Sequence, residues 1–473
     1  MKTKLYQVFS GYTLLAVLVA ACIAPSPQPI AHTSTTPAAS GIDPTLPQAR
    51  SVLWQQCTDQ QCELQLIDPA TGQPLPAYPP FMLGNSPVIK HSPHRRTLAV
   101  IDYPNNQDLT GGRLKFIDLS TWQVITTTLT FDNVYDSFLF SPDGKRLVVY
   151  FPKYSWPPGK ELRVIDIAQR RLIADRELDF SPRQICFSLD GQWLLIYGID
   201  GSLEYTVNPQ ARVAILRSTD LQIVWQQILP GIRDGLFNPN PNISPHENPE
   251  HTTLWEPAAV FAPDGTHLYL VHADENRLTT VDFAARTVQT VTITQAASWM
   301  ERLLVLTAHP AKAKVFNGTT KQAAIAPDGK QLYVATLEHI FKDNTYTEIA
   351  QNVQVIDVTS GAEIAQIASH ARAITVAPDG TRLYLAGWEN DLARPDPNEW
   401  TEIFSTAPLQ RVAKLQDRAI ALGQRLDGTP ILLSTLIGQD GRWEAATFDP
   451  QSLQLIHVWT QQQSSEWGVF ITQ

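Results

Sequence analysis

The stretch Val376-Ala-Pro-Asp-Gly-Thr-Arg-Leu-Tyr-Leu-Ala386 constrains this chain more than any other. Ala371 to Val376 carries the β-branched residues of a strand. Pro378 presets φ for the first corner of a type I turn and Asp379 suits the second. Gly380 supplies the positive φ that closes a bulged hairpin. Leu383, Tyr384 and Leu385 then resume an apolar extended run. The same device stands at Phe140-Ser-Pro-Asp-Gly144, Phe187-Ser-Leu-Asp-Gly191, Phe261-Ala-Pro-Asp-Gly265, Ile325-Ala-Pro-Asp-Gly329 and, degraded, at Arg425-Leu-Asp-Gly428. His91-Ser-Pro-His-Arg95 is a copy that has lost its Asp-Gly. The glycines at 144, 191, 265, 329, 380 and 428 lie 47, 74, 64, 51 and 48 residues apart. A base period near 47–50 with two stretched intervals is a repeat array.

Each repeat predicts four strands: an inner strand before the turn, a Leu-rich strand after it, a third ending in Asp, and a short fourth. The third strand is Leu64-Gln-Leu-Ile-Asp68, Leu114-Lys-Phe-Ile-Asp118, Leu162-Arg-Val-Ile-Asp166, Leu278-Thr-Thr-Val-Asp282 and Val353-Gln-Val-Ile-Asp357, with Glu444-Ala-Ala-Thr-Phe-Asp449 as a weaker copy. The Asp ends the strand and opens a short turn. Inner strands begin near 87, 137, 183, 257, 322, 371 and 417.

These residues resemble the WD40-like and YVTN-type β-propeller repeats. Ile374-Thr-Val-Ala-Pro-Asp-Gly-Thr-Arg-Leu-Tyr-Leu385, Leu332-Tyr-Val-Ala-Thr336 and Val355-Ile-Asp357 carry the resemblance, which covers roughly Ser86 to Pro450. No Trp-Asp pair closes the repeats, and the Asn that ends the YVTN signature is absent. The resemblance implies an all-β propeller of four-stranded blades. Glu466-Trp-Gly-Val-Phe-Ile-Thr472 is one strand with nothing after it, and Ser51 to Pro74 is a repeat without its first strand. Joining the two would close the ring and leave no raw sheet edge at the termini. The expectation is eight blades, with seven as the fallback if the N-terminal strands pack elsewhere.

Lys2 and Lys4 precede an apolar run, Val8 to Ala21, that is too short to span a bilayer as a stable helix. It ends Val19-Ala20-Ala21-Cys22, which resembles a bacterial lipobox. The resemblance implies cleavage before Cys22, lipidation of that cysteine, and anchorage outside the cytoplasm at the cell envelope. Residues 22–50 carry prolines at 25, 27, 29, 37, 44 and 47 among Ser, Thr and Ala, the composition of an extended tether. The domains expected are a signal peptide at 1–21, this tether, and a propeller at 51–473. Cys57 and Cys62 flank Thr-Asp-Gln-Gln across a hairpin, where a disulfide is geometrically reasonable and an exported compartment permits one. With a net charge of −10 and no basic run longer than Arg170-Arg171, attraction to nucleic acid is not expected.

In a four-stranded blade the first and third turns share one face, and the other loops share the opposite one. All the length variation falls in the second class. Insertions at 231–255, 294–320, 337–351 and 388–400, with smaller ones at 103–112, 152–160 and 201–210, therefore project from one face. Tyr154, Trp156, Trp255, Phe341, Tyr346, Trp388, Asp391 and Trp400 lie in them, and exposed aromatics beside carboxylates suit a sugar, a peptide or a cationic partner. Ser298-x-x-Glu301, with Trp299, Leu303 and Leu306 on one face and Pro310 after them, predicts a short helical insertion.

His246-Glu-Asn-Pro-Glu-His251 resembles a zinc protease motif but spaces its histidines by five, and Pro249 forbids the aligning helix. His246 and His251 are left as weak candidates for a loop metal site. No nucleophile elbow, phosphate loop or Cys-His cluster is present in the sequence, and no cofactor is expected. The functional expectation is a lipid-anchored, non-catalytic propeller that binds a protein, peptide or glycan through its insertion-bearing face. The alternative is a lactonase-like hydrolase or an amine-dehydrogenase-like subunit with a site at the central channel. That alternative needs His, Glu or Arg side chains converging there.

Overall fold

The computed structural model describes residues 47–58, 61–84, 87–103, 111–131, 137–150, 161–200, 208–237, 252–295, 318–342, 345–389, 398–416, 420–437, 443–460 and 467–470. Their apolar residues alternate along short strands broken by Asp-Gly and Asp-x-x turns, so the chain folds as antiparallel meanders. Seven sheets are plain four-stranded blades. An eighth sheet has eight strands and holds the same meander, Gly318–Ile325, Gln331–Lys342, Val353–Asp357 and Ala362–Ile367, widened by four more. The protein is an all-β propeller, and its described helical structure is one 3-10 turn, Pro47–Arg50.

The ring closes as the termini predict. Trp467–Phe470 pairs antiparallel with Val52–Cys57, placing Trp467 opposite Cys57, and becomes the inner strand of the first sheet. Because that strand comes from the other end of the chain, no Asp-Gly hairpin joins it to Val52–Cys57. The 3-10 turn and Ser51 stand beside the neighbouring hairpin instead: Asp427 N donates to Ala49 O at 2.8 Å and Leu426 N to Ser51 O at 3.1 Å. Cys57 and Cys62, opposite one another in the register, form a disulfide.

The core is not central. It lies in the interfaces between consecutive sheets. Leu53, Leu64, Leu98 and Ile117 bury one such interface, Tyr197, Val213, Leu268 and Leu270 another, and Val52, Trp54, Ile431 and Leu433 fill the one across the closure. Each blade is therefore apolar on both faces, and only the strand edges meet the axis and the outer rim.

The turns follow the sequence closely. In every Asp-Gly hairpin the glycine amide bonds the carbonyl three residues back, as Gly144 N to Ser141 O and Gly380 N to Ala377 O, both at 2.8 Å. The copy without Asp-Gly forms the same turn: Arg95 takes the glycine position at φ 53° and bonds Ser92 O at 2.9 Å. Its Nη1 donates to Arg425 O at 2.8 Å, a contact that holds it in a backbone region usually left to glycine. The strand-ending aspartates accept backbone amides, Asp357 Oδ1 from Ser360 N at 2.8 Å and Asp449 Oδ1 from Ser452 N at 2.7 Å.

Strands run into two insertions expected as loops. Gln331–Lys342 continues past its blade and folds back through Thr345–Ala350, with Phe341 opposite Tyr346. Arg382–Glu389 and Asn398–Thr406 likewise extend into 388–400. β-Branched and aromatic residues at these positions favour the ladder over coil.

Candidate functional site

The eight-stranded sheet builds the site. By the blade pattern, Gly318–Ile325 is the inner strand and would end the sheet at the channel. Thr253–Glu256 instead runs parallel beside it, with Trp255 opposite Thr319 and Glu256 opposite Thr320. Gly235–Phe237 pairs in turn with Thr253–Glu256. Both added strands come from the insertion 231–255 and its end at Glu256, and Thr253–Glu256 leads directly into Ala258–Phe261, the inner strand of the preceding sheet. Gly318 permits this approach: at φ 153° it places Leu254 O only 2.2 Å from where a Cβ would stand.

Charged side chains gather around these strands. Arg183 sits in a bulge of the inner strand Ser181–Phe187. Its Nη2 is 2.7 Å from Asp234 Oδ1 and its Nη1 is 3.4 Å from Glu256 Oε1. Asp234 is 1% exposed and also accepts the Tyr197 hydroxyl at 2.5 Å. Burial, followed by the Asp234 charge, pushes the Tyr197 phenol well above its ordinary value, so it stays a donor.

One junction further round the ring, Arg372 and Glu348 form a buried ion pair. His339 lies beside them, its Nδ1 3.7 Å from Glu348 Oε1 and its Nε2 2.9 Å from Thr320 Oγ1. Burial pushes His339 down to about 4, with Arg372 adding to the effect and Glu256 opposing it, so the ring is neutral at pH 7. Beside the same inner strand, Asp274 Oδ2 is 3.3 Å from Arg233 Nε, and His272 bonds Thr279 Oγ1 at 2.7 Å. Burial lowers His272 as well. Lys321, on Gly318–Ile325, is pushed down to about 8 by burial against the pull of Asp274.

The arrangement is a rigid polar floor. Arg183 is held by two carboxylates and Arg372 by one, while both histidines are neutral. Such a network orients donors and acceptors for a ligand more readily than it moves protons. Among the described residues no group of three or more His, Cys, Asp or Glu side chains has metal-holding geometry.

The sequence-predicted residues meet different fates. Trp255 is half-buried in Thr253–Glu256, one residue before Glu256. Phe341 and Tyr346 are register partners in the hairpin that also carries His339 and Glu348. Trp400 is not an exposed loop residue. It lies in Asn398–Thr406 at 5% exposure, packed over Gly387, whose missing Cβ leaves room for the indole, and under the Lys414 ammonium at 5.0 Å. Trp388 is placed on the neighbouring strand, opposite Glu399. Cys22, Tyr154, Trp156, His246, His251, Asp391 and the helix expected after Ser298 lie outside the described residues.

Sequence reasoning missed Arg183, Asp234, Glu256, His339, Glu348 and Arg372. One signal for part of the set was present: Arg183, Lys321 and Arg372 each stand four residues before the end of an inner strand, at Phe187, Ile325 and Val376. The repeat therefore delivers a cation to the same height in three sheets.

No protein-family profile matches the chain, and neither does any curated protein sequence. Solved structures share the fold. Dihydro-heme d1 dehydrogenase NirN in complex with DHE is 11% identical over 92% of this chain and 77% of its own, with a TM-score of 0.52. The periplasmic gluconolactonase PpgL of Pseudomonas aeruginosa is 16% identical over 77% of this chain and 95% of its own, at a TM-score of 0.43. The β-propeller domain of Myceliophteria thermophila Cps50 (Swd1) is 11% identical over 79% and 95%, at 0.37. At these identities the likeness is one of fold.

Proposed function

We propose that this chain is a non-catalytic, lipid-anchored β-propeller outside the cytoplasm. Its insertion-bearing face binds a protein, peptide or glycan partner around the channel mouth. One observation carries the reading: the insertion strands Gly235–Phe237 and Thr253–Glu256 dock on the inner strand of the eight-stranded sheet, bringing Glu256 to Arg183 with Trp255 preceding it in the same strand. A ring with short turns on one face and its insertions on the other presents one surface that can vary without touching the inter-blade cores. The anchor rests on the lipobox-like Val19 to Cys22, and the Pro-rich tether would hold the ring away from the bilayer.

The enzymatic alternative draws on the same charged residues, since His, Glu and Arg do converge at the channel. We rank it second because the arginines are committed to carboxylates, and the hydroxyl–imidazole pairs there, Thr320 with His339 and Thr279 with His272, have imidazoles that burial weakens as bases. To test the binding reading, the full chain in detergent is screened against peptide and glycan arrays, beside variants Trp255→Ala, Trp156→Ala and Trp388→Ala. Saturable binding that these variants weaken is the expected result. Binding that survives all three would move the site off this face. No binding, with turnover in a lactone and ester panel, would replace the reading with the enzymatic one.

A further inference from the structure

We infer that a notch on the turn face, between the sheets that begin at Val88 and Ser137, is a docking pocket for a protein partner. The partner seats one phenyl-sized apolar side chain in it and sets a carboxylate against Arg170. This is a second surface, distinct from the insertion-bearing face, and it does not depend on what that face binds.

The observation comes from comparing the seams between neighbouring sheets. Where the third strand turns into the fourth, one turn residue takes positive φ. Trp122, Arg170, Leu221, Arg286 and Leu453 do so at 54° to 60°, four residues after Asp118, Asp166, Arg217, Asp282 and Asp449. This residue stands at the seam with the preceding sheet. Trp122 is buried there, stacked on Phe81 at 4.6 Å and edge-on to Tyr78 at 6.0 Å. Leu221 is fully buried in the cluster that Ile173 and Ala174 of the preceding sheet also join. Leu453 packs on the cluster that takes Ala413 and Leu415 of the preceding sheet. An apolar side chain from the turn thus plugs each of these three seams. Arg286 is exposed and does not plug its own, and larger neighbours fill that seam instead: Trp225 stands edge-on to Phe283 at 6.3 Å.

The seam of Arg170 has neither device. Arg170 is exposed. The positions of Trp225 and Phe283 hold only Ile125 and Ile167. Ile125 pairs with Phe116 as Trp225 pairs with Ile215, and Ile167 follows Asp166 as Phe283 follows Asp282. What remains is an open notch of about 150 Å³ lined by Phe116, Ile125 and Ile167, with Thr97, Asp118 and Arg170 along it. An apolar cavity of this size accepts a benzene-sized group. The seam of Trp122 shows the equivalent place taken by an aromatic ring stacked on a phenyl. The polar residues select what accompanies the ring. Asp118 is committed to its own turn, accepting Ser120 N at 2.8 Å, Ser120 Oγ at 2.5 Å and Thr121 N at 3.2 Å. Arg170 holds no ion pair among the described residues, and Arg171 follows it. Its guanidinium fork is therefore open to an incoming carboxylate.

The test is saturation-transfer NMR on the full chain in phosphatidylcholine vesicles, without detergent that could fill the notch. The probe is N-acetylphenylalanine. Its amide removes the carboxylate, and N-acetylalanine removes the ring. Arg170→Gln keeps the notch and drops the charge. Ile125→Trp and Arg170→Trp fill the notch as Trp225 and Trp122 fill their seams. The expected result is saturable binding of N-acetylphenylalanine at millimolar concentration, about threefold weaker for the amide or in Arg170→Gln. Binding is lost in both Trp variants and with N-acetylalanine. Both Trp variants are expected to melt no lower than wild type because they fill a cavity, so lost binding is separated from lost fold. No saturable binding by the wild type, or binding that Ile125→Trp leaves intact, overturns the inference. A fall in melting temperature in both Trp variants overturns it too, since the notch then does not admit a ring. Equal binding of the acid and the amide overturns the role given to Arg170. Crosslinked self-association of the wild type that Ile125→Trp abolishes gives the notch to a second copy of this chain and overturns the assignment to a partner.

Discussion

The two faces of this ring are built by opposite rules. On the turn face, contacts are local. Asp143 receives the Ser141 hydroxyl at 2.6 Å and the Lys145 amide at 3.1 Å, all within five residues of sequence and mostly in water. On the channel-mouth face, contacts are long-range and buried. Arg183 meets Asp234 and Glu256, and the second of these lies 73 residues away on another sheet's approach. Local turns repeat because each closes itself. The mouth cannot repeat, because each charge there depends on a partner that an insertion delivers. The lesson is that the repeat supplies a scaffold and a height, and the insertions supply identity.

The difference can be broken most sharply at Asp234. Asp234→Ala leaves the Arg183 guanidinium short of a carboxylate and removes the acceptor of the Tyr197 hydroxyl in a dry site. The expected loss is about 3–5 kcal/mol, read as a shift in urea midpoint with the slope unchanged. A loss under about 1 kcal/mol would mean that water reaches this network, and the contrast between the faces would collapse.

A smaller effect is expected from pH. His339 is held neutral by burial, with its folded value at about 4 against an ordinary 6.5. Between those values the unfolded chain binds more protons than the folded one, so stability falls as pH is lowered from 6.5 towards 4. The contribution reaches roughly 3 kcal/mol at the acid end. His339→Gln is expected to flatten that part of the melting-temperature profile. An unchanged profile in the variant would assign the acid sensitivity elsewhere.

The smallest effect belongs to the turn face. Asp143→Ala removes two local hydrogen bonds from a partly exposed turn. It is expected to cost about 1 kcal/mol, because water replaces the lost partners and Pro142 with Gly144 still bends the chain. A melting shift as large as that of Asp234→Ala would show the turns to be cooperative with the cores.

Much of the fold was legible because its causes are local. Pro-Asp-Gly dictates a hairpin wherever it occurs, and Val355-Ile-Asp357 dictates a strand and its end. The unpaired strand near Trp467 and the missing one before Val52 together predict the closure that pairs them. Cys57 and Cys62 were legible for the same reason, since five residues and one hairpin suffice to bring them together. Trp400 was misplaced because an aromatic residue in an insertion looks the same in sequence whether it faces solvent or packs over a glycine. Only the register against Gly387 decides between the two.

What the sequence determined by itself is therefore the repeat, its turns, the all-β propeller class and the face that carries the insertions. These follow from residue types acting within a few positions of one another. What the tertiary structure decided is that Thr253–Glu256 adds to an inner strand. That pairing sets Arg183, Glu256, His339 and Arg372 around one opening. The reason is physical: the worth of a charge is set by its burial and by its partner, and both are fixed only when distant segments close on the same point.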